Sequence, residues 1–220
     1  MVETTIEELI ISGCDERIAL NGLNQTNRYF LNPFDFEGLL HRGSCTASTL
    51  DDVSLEILQK TDIDSMAMQF EAVVENHADR IKSLLQTDHG TPFEVFFAPS
   101  GSDLAYYPIL FKEILHDSAD VVNMVTCPEE LGSGTRLAAN GKFHAALNQF
   151  DEPIPKGEAI PGLPNIELCE LRGRNAAGHI VDNRRGILDA VEEFAGRQMV
   201  VNLVYGSKSG IEDNLKVLED

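Results

Sequence analysis

Three short stretches of the sequence combine glycine with hydroxyl side chains, and each is suited to hold a small anionic ligand or a cofactor. The first is Ser100-Gly101-Ser102, which follows the apolar burst Phe93–Ala98 and precedes an apolar run from Leu104 to Leu115. Pro99 cannot donate to a ladder, Gly101 permits a sharp turn, and Ser100 or Ser102 can cap the helix that follows. Such a turn aims free N–H groups and the positive end of a helix dipole at one point, which suits an anion and above all a phosphate. Asp103 opposes this with a negative charge in the first turn, and the same residues also serve an ordinary capped connection. The second stretch is Cys127 to Thr135, which includes Glu129, Ser133 and Gly134. The third is Gly206-Ser207-Lys208-Ser209-Gly210. Lys208 there is an amine among small residues at a strand end. Burial lowers a lysine's pKa and makes it a nucleophile, although the same residue serves equally as a cofactor contact or a solvated loop lysine.

These stretches need elements to hold them. Phe93–Ala98, Val121–Val125, Asn165–Leu171 and Met199–Tyr205 are short apolar runs of strand character. Ile63 to Leu85 carries Met66, Phe70, Val73, Val74, His77, Ile81, Leu84 and Leu85 at helical spacing, which predicts one long amphipathic helix with His77 packed in its stripe. Ser48 or Thr49 caps a shorter helix before it, with Asp51 and Asp52 in its first turn. Arg136–Ala146 is partly helical, and Gly186–Ala195 is a helix with Ile187, Leu188, Val191 and Phe194 on one face. The proline-rich segment 150–164 is a surface excursion. Strands alternating with helices predict an α/β domain over residues 48–220, a mostly parallel sheet in three layers. In such sheets ligands sit beyond the carboxyl ends of the strands, where all three glycine–hydroxyl stretches fall. Residues 1–47 predict an irregular N-terminal arm. Thr5–Ile11 is a short helix or strand, turn residues follow from Asn21 to Pro33, and Tyr29, Phe30, Phe34 and Phe36 pin the arm either to its own core or to a neighbouring subunit.

Charge and cysteine usage narrow the function classes. The chain has 220 residues and a formal net charge of −19. That balance argues against nucleic acid and against anionic membrane surfaces, and favours a more basic partner protein. No run of about 18 apolar residues exists to span a bilayer. The N-terminus, Met-Val-Glu-Thr-Thr-Ile-Glu-Glu, is acidic where a secretion signal needs positive charge. The 4 cysteines, Cys14, Cys45, Cys127 and Cys169, contain no Cys-x-x-Cys pair, so neither a disulfide framework nor a zinc site is expected. A cytoplasmic setting follows, with the cysteines reduced and acting as small buried hydrophobes.

The set formed by 15–20 (Asp-Glu-Arg-Ile-Ala-Leu), 98–103 (Ala-Pro-Ser-Gly-Ser-Asp), Gly132-Ser133-Gly134 and 206–210 resembles the first half of a fold-type I pyridoxal-phosphate enzyme of the aspartate aminotransferase superfamily, and most closely a bacterial subgroup of it. The resemblance spans most of the chain, but its individual motifs are short. It implies that Ser100, Gly101 and Ser102 hold the phosphate of pyridoxal 5′-phosphate. It places Cys127, Glu129 and Ser133 in the loop that covers the pyridine ring, and Ser207 and Lys208 beside the ring oxygen. In that family the aspartate under the pyridine nitrogen and the Schiff-base lysine come on later strands than those read here. The resemblance therefore implies half of an enzyme acting on an amino acid. A complementary subunit or a homodimer would supply the rest, with Lys208 the one candidate catalytic lysine on this chain.

Two other classes compete. One is a non-catalytic regulatory or scaffolding subunit that keeps the fold. The other is a serine hydrolase using Ser100 or Ser102. Its elbow would be Gly-x-Ser-x-Gly, but Pro-Ser-Gly-Ser-Asp lacks both outer glycines, and no histidine is visibly paired with it.

Overall fold

The computed structural model describes residues 5–12, 16–34, 50–85, 92–116, 120–148, 150, 152–203 and 210–213. They belong to two units, one of residues 1–97 with 147–152 and the other of residues 98–146 with 153–220. Among the described residues, no helix is long and apolar enough to cross a membrane.

The first unit is helical. α1 (Ile6–Ile11) opens on Thr5, whose hydroxyl accepts from Glu8 N while the Glu8 carboxylate accepts from Thr5 N. This is a capping box, and it makes Thr5–Ile11 a helix. In the turns that follow, the buried Asn27 uses Oδ1 to accept from the N–H groups of Tyr29 and Leu31. Phe30 is 85% exposed, and Phe36 lies outside the described residues. α2 (Asp52–Lys60) is capped by Asp51, which accepts from Ser54 N at 2.7 Å; Ser48 and Thr49, the caps expected from sequence, lie outside the described residues.

The single helix expected over 63–85 is instead two, α3 (Ile63–Met68) and α4 (Phe70–Leu85). Gln69 separates them, leaving the helical region at φ −111°, ψ 23° and closing α3 with bonds to both Met66 O and Ser65 O. None of α2, α3 and α4 buries a residue completely. His77, expected inside an apolar stripe, is exposed because the stripe is only partly covered. Phe93–Ala98 is also a correction, since it forms no strand. An apolar burst becomes a strand only within a ladder, and the described ladders are all in the second unit.

That unit holds a sheet of β1 (Asp120–Thr126), β2 (Asn165–Leu171) and β3 (Gln198–Asn202) in the order β2-β1-β3, with both pairings parallel. The register sets Asn123 opposite Leu168 on one side and Val200 on the other. β1 is central and buried from Val121 to Thr126, as a parallel sheet covered on both faces requires. Successive side chains point to opposite faces. Met124 packs on Ile187 and Ala190 of α8 (Arg184–Glu193). Asn123 points the other way and donates from Nδ2 to Ala139 O of α7 (Ser133–Ala139) at 2.6 Å. α8 and α7 therefore cover opposite faces, giving three layers. α6 (Tyr107–His116) lies beside β3, with Ile109 fully buried. The α/β class and the parallel sheet are as expected, but among the described residues the sheet has three strands where four were expected, because Phe93–Ala98 did not join it.

Candidate functional site

At the end of β1 the chain turns through Cys127, a left-handed residue at φ 53°, ψ 54°, which is uncommon without glycine. A 3₁₀ turn, Pro128–Glu130, follows and leads to α7. The Cys127 side chain is fully buried. The backbone beyond β2 passes so close that a Cβ on Gly173 would sit 2.5 Å from the Cys127 sulfur and 2.9 Å from Ile211 Cδ1. Burial foremost, then the charges of Asp213, Glu129 and Glu130, push the thiol up to about 11, against an opposing pull from Arg174. Cys127 is therefore protonated at neutral pH and closed to a ligand. Beside it, Thr126 Oγ1 donates to the Asp213 carboxylate, and buried Asn183 approaches the sulfur with Nδ2 at 4.0 Å. A pocket of about 360 Å³ opens here, with Ile187 and Ile211 among its apolar lining residues and Asp182, Glu212 and Asp213 among its acidic ones.

A second cluster forms where α5 (Gly101–Leu104) meets α7. Ser100 Oγ caps α5, accepting from the N–H groups of Ser102 and Asp103 at 3.2 Å each and donating to Asp103 Oδ2 at 2.6 Å. The other Asp103 oxygen accepts from His144 Nε2 at 3.1 Å, the two side chains being only 27% and 15% exposed. The His144 ring tilts 31° against Tyr106 with centroids 5.9 Å apart, and Tyr106 OH donates to Lys142 O at 2.6 Å. Burial foremost, then the Asp103 charge, push the Tyr106 phenol up to about 12. Ser102 Oγ lies 3.1 Å from Thr135 Oγ1, in the first turn of α7. Gly134 makes this approach possible, because a Cβ there would stand 3.2 Å from Ser102 Oγ and 3.7 Å from His144 Nδ1.

Of the three glycine–hydroxyl stretches, the structure thus brings Ser100–Ser102 and Gly132–Thr135 together. Gly101 faces open space, with nothing within 4 Å of a Cβ built on it. Glu129 and Ser133 are exposed. Ser207 and Lys208 lie outside the described residues. Among the described residues neither Ser100 nor Ser102 is hydrogen-bonded to a histidine; His144 is taken by Asp103. Sequence reasoning missed His144, Tyr106 and Asp213, since nothing local marks a partner 41, 36 or 87 positions away. Chemically, the cluster offers two rotatable hydroxyls for an anion and an imidazole–carboxylate pair that can relay a proton. No group of metal-ligating side chains occurs among the described residues. Compared with known proteins, the chain matches no family model, no curated protein and no solved structure.

Proposed function

We propose that this chain supplies the phosphate-holding part of a pyridoxal 5′-phosphate site in an enzyme acting on an amino acid, with the cofactor-bearing lysine on a complementary chain. The observation that carries this reading is the meeting of Ser102 Oγ and Thr135 Oγ1 at 3.1 Å, from two glycine-flanked turns 33 positions apart. Two adjacent hydroxyls match adjacent oxygens of a phosphate. The residues present fit that group in two further respects. Gly101 leaves the approach open, and both Asp103 oxygens are already engaged, by Ser100 and by His144. When bound, the cofactor acts as an electron sink for the substrate amino acid. This chain's own residues do the holding: Ser102 and Thr135 donate to the phosphate, Ser100 fixes the turn, and His144 holds the Asp103 carboxylate. Which bond of the substrate breaks is decided on the complementary chain.

Asp103 favours a second reading, a scaffolding subunit that keeps the fold without the ligand. A carboxylate one residue from Ser102 repels a dianion, and Ser100 already occupies the Ser102 N–H. The test is calorimetric titration of the purified chain with pyridoxal 5′-phosphate, competed with inorganic phosphate. Binding should weaken about a hundredfold or more in the double variant Ser102→Ala, Thr135→Val, the loss of two hydrogen bonds to a charged group. The chain alone should give no borohydride-stable adduct. An adduct mapped by peptide mass to Lys208 would put the catalytic lysine on this chain. The absence of phosphate-competed binding at millimolar cofactor, even with a complementary chain, would leave the scaffolding reading.

A further inference from the structure

The two edges of the sheet differ in kind. β2 carries Glu167 and Glu170, tied to Arg197 and Arg136, and charge on an edge keeps other strands away. β3 is Gln198-Met199-Val200-Val201-Asn202, with no charge, proline or glycine. Its inner side pairs with β1 from Gln198 to Asn202, and its outer side joins no ladder among the described residues. In a parallel strand the N–H and C=O groups alternate between the two sides, so β3 presents a row of donors and acceptors outward. α6 lies beside β3. On its outward face Leu110, Ile114 and Leu115 are 37%, 77% and 72% exposed. An open parallel edge beside a bare apolar helix face is the surface that a strand–helix unit covers, since parallel strands come with helices that bury the faces of the sheet.

We propose that the β3 edge and the α6 face together dock a strand–helix unit of a second, less acidic polypeptide, its strand parallel to β3 and its helix against Leu110, Ile114 and Leu115. Charge selects this occupant. The chain carries −19, so a second copy brings the same charge, and a two-fold copy pairs β3 with itself antiparallel. Glu113 adds a carboxylate bordering the α6 face, one of its oxygens finding no hydrogen-bond partner among the described residues. The inference stands on β3 and α6 and needs no cofactor, so its failure and that of the pyridoxal-phosphate reading are separable.

The test is amide hydrogen exchange on the full chain with two synthetic probes. One is a lysine-flanked heptapeptide of valine and isoleucine, and the other is that peptide extended by an amphipathic leucine–lysine helix. Alternate β3 amides should slow about tenfold with either probe at millimolar concentration, while β2 amides stay unchanged. The extended probe should bind about tenfold tighter. Leu115→Glu, at an exposed position, should abolish that gain and keep the heptapeptide's protection. Unchanged β1 amides report that the fold is intact. No slowing at β3, equal slowing at β2, or β3 protection that rises with protein concentration in the absence of probe would each overturn the proposal, the last in favour of a second copy.

Discussion

Gly173 and Cys127 show how tightly the end of β1 is packed. A methyl at Gly173 meets the buried sulfur at 2.5 Å and Ile211 Cδ1 at 2.9 Å, and neither neighbour can retreat into solvent. Gly173→Ala should therefore cost about 1–3 kcal/mol in urea unfolding. Adding Cys127→Ala should return part of that cost, because the worst contact goes with the sulfur, and additive losses would show that the crowding lies elsewhere. Tyr106 gives a pH-dependent counterpart in the second cluster. Its phenol is pushed from 10.0 up to about 12, so between those values the folded chain keeps a proton that the unfolded chain loses. The contribution is complete below pH 10 and is lost as the pH rises through about 12. The urea midpoint should fall more steeply across that window in the native chain than in Tyr106→Phe, and parallel curves would remove Tyr106 as the cause.

The helices depend on caps to different degrees. α2 buries no residue completely, so its start relies on Asp51. Hydrogen bonding from the Ser54 backbone N–H foremost, then from the Ser54 side chain, holds the Asp51 carboxyl below its ordinary 3.8. A lowered folded value means that the cap's contribution is present above 3.8 and is lost as the pH falls through the lower folded value. Asp51→Ala should reduce the helical circular dichroism signal at pH 7, and acidification below 3.8 should produce a loss of the same kind in the native chain but not in the variant. α8 should be insensitive to such changes. Ile187 and Ala190 are buried against Met124, and the side chain of its N-cap residue Asn183 makes no capping bond to the helix, so packing rather than capping holds it.

At the scale of the whole chain the two units differ in how their elements are held. In the second unit β1 is paired on both sides and covered on both faces. In the first, Met68 and Leu84 are each 82% exposed. Local opening takes least free energy where few apolar contacts are lost. Amide exchange should therefore be slowest at Val121–Val125 and faster by orders of magnitude in α2, α3 and α4. Equal protection in both sets would mean that the helices are covered by another chain under the conditions of measurement.

What the sequence determined by itself was local. Ser100 or Ser102 as a cap, the apolar strand runs of β1, β2 and β3 and the helix around Ile187 were legible because capping and periodicity are written in neighbouring residues. The three-layer α/β arrangement followed from their alternation. Only the tertiary structure decided the rest. It left Phe93–Ala98 outside any ladder, since apolar character calls for burial without naming a strand to pair with. It split the helix expected over 63–85 and left His77 exposed. It buried Cys127 under Gly173, joined Asp103 to His144, and brought Ser102 to Thr135. Each of these contacts closes a loop of tens of residues or more, and which loops close is decided by the packing of the whole unit, which no local pattern in the sequence records.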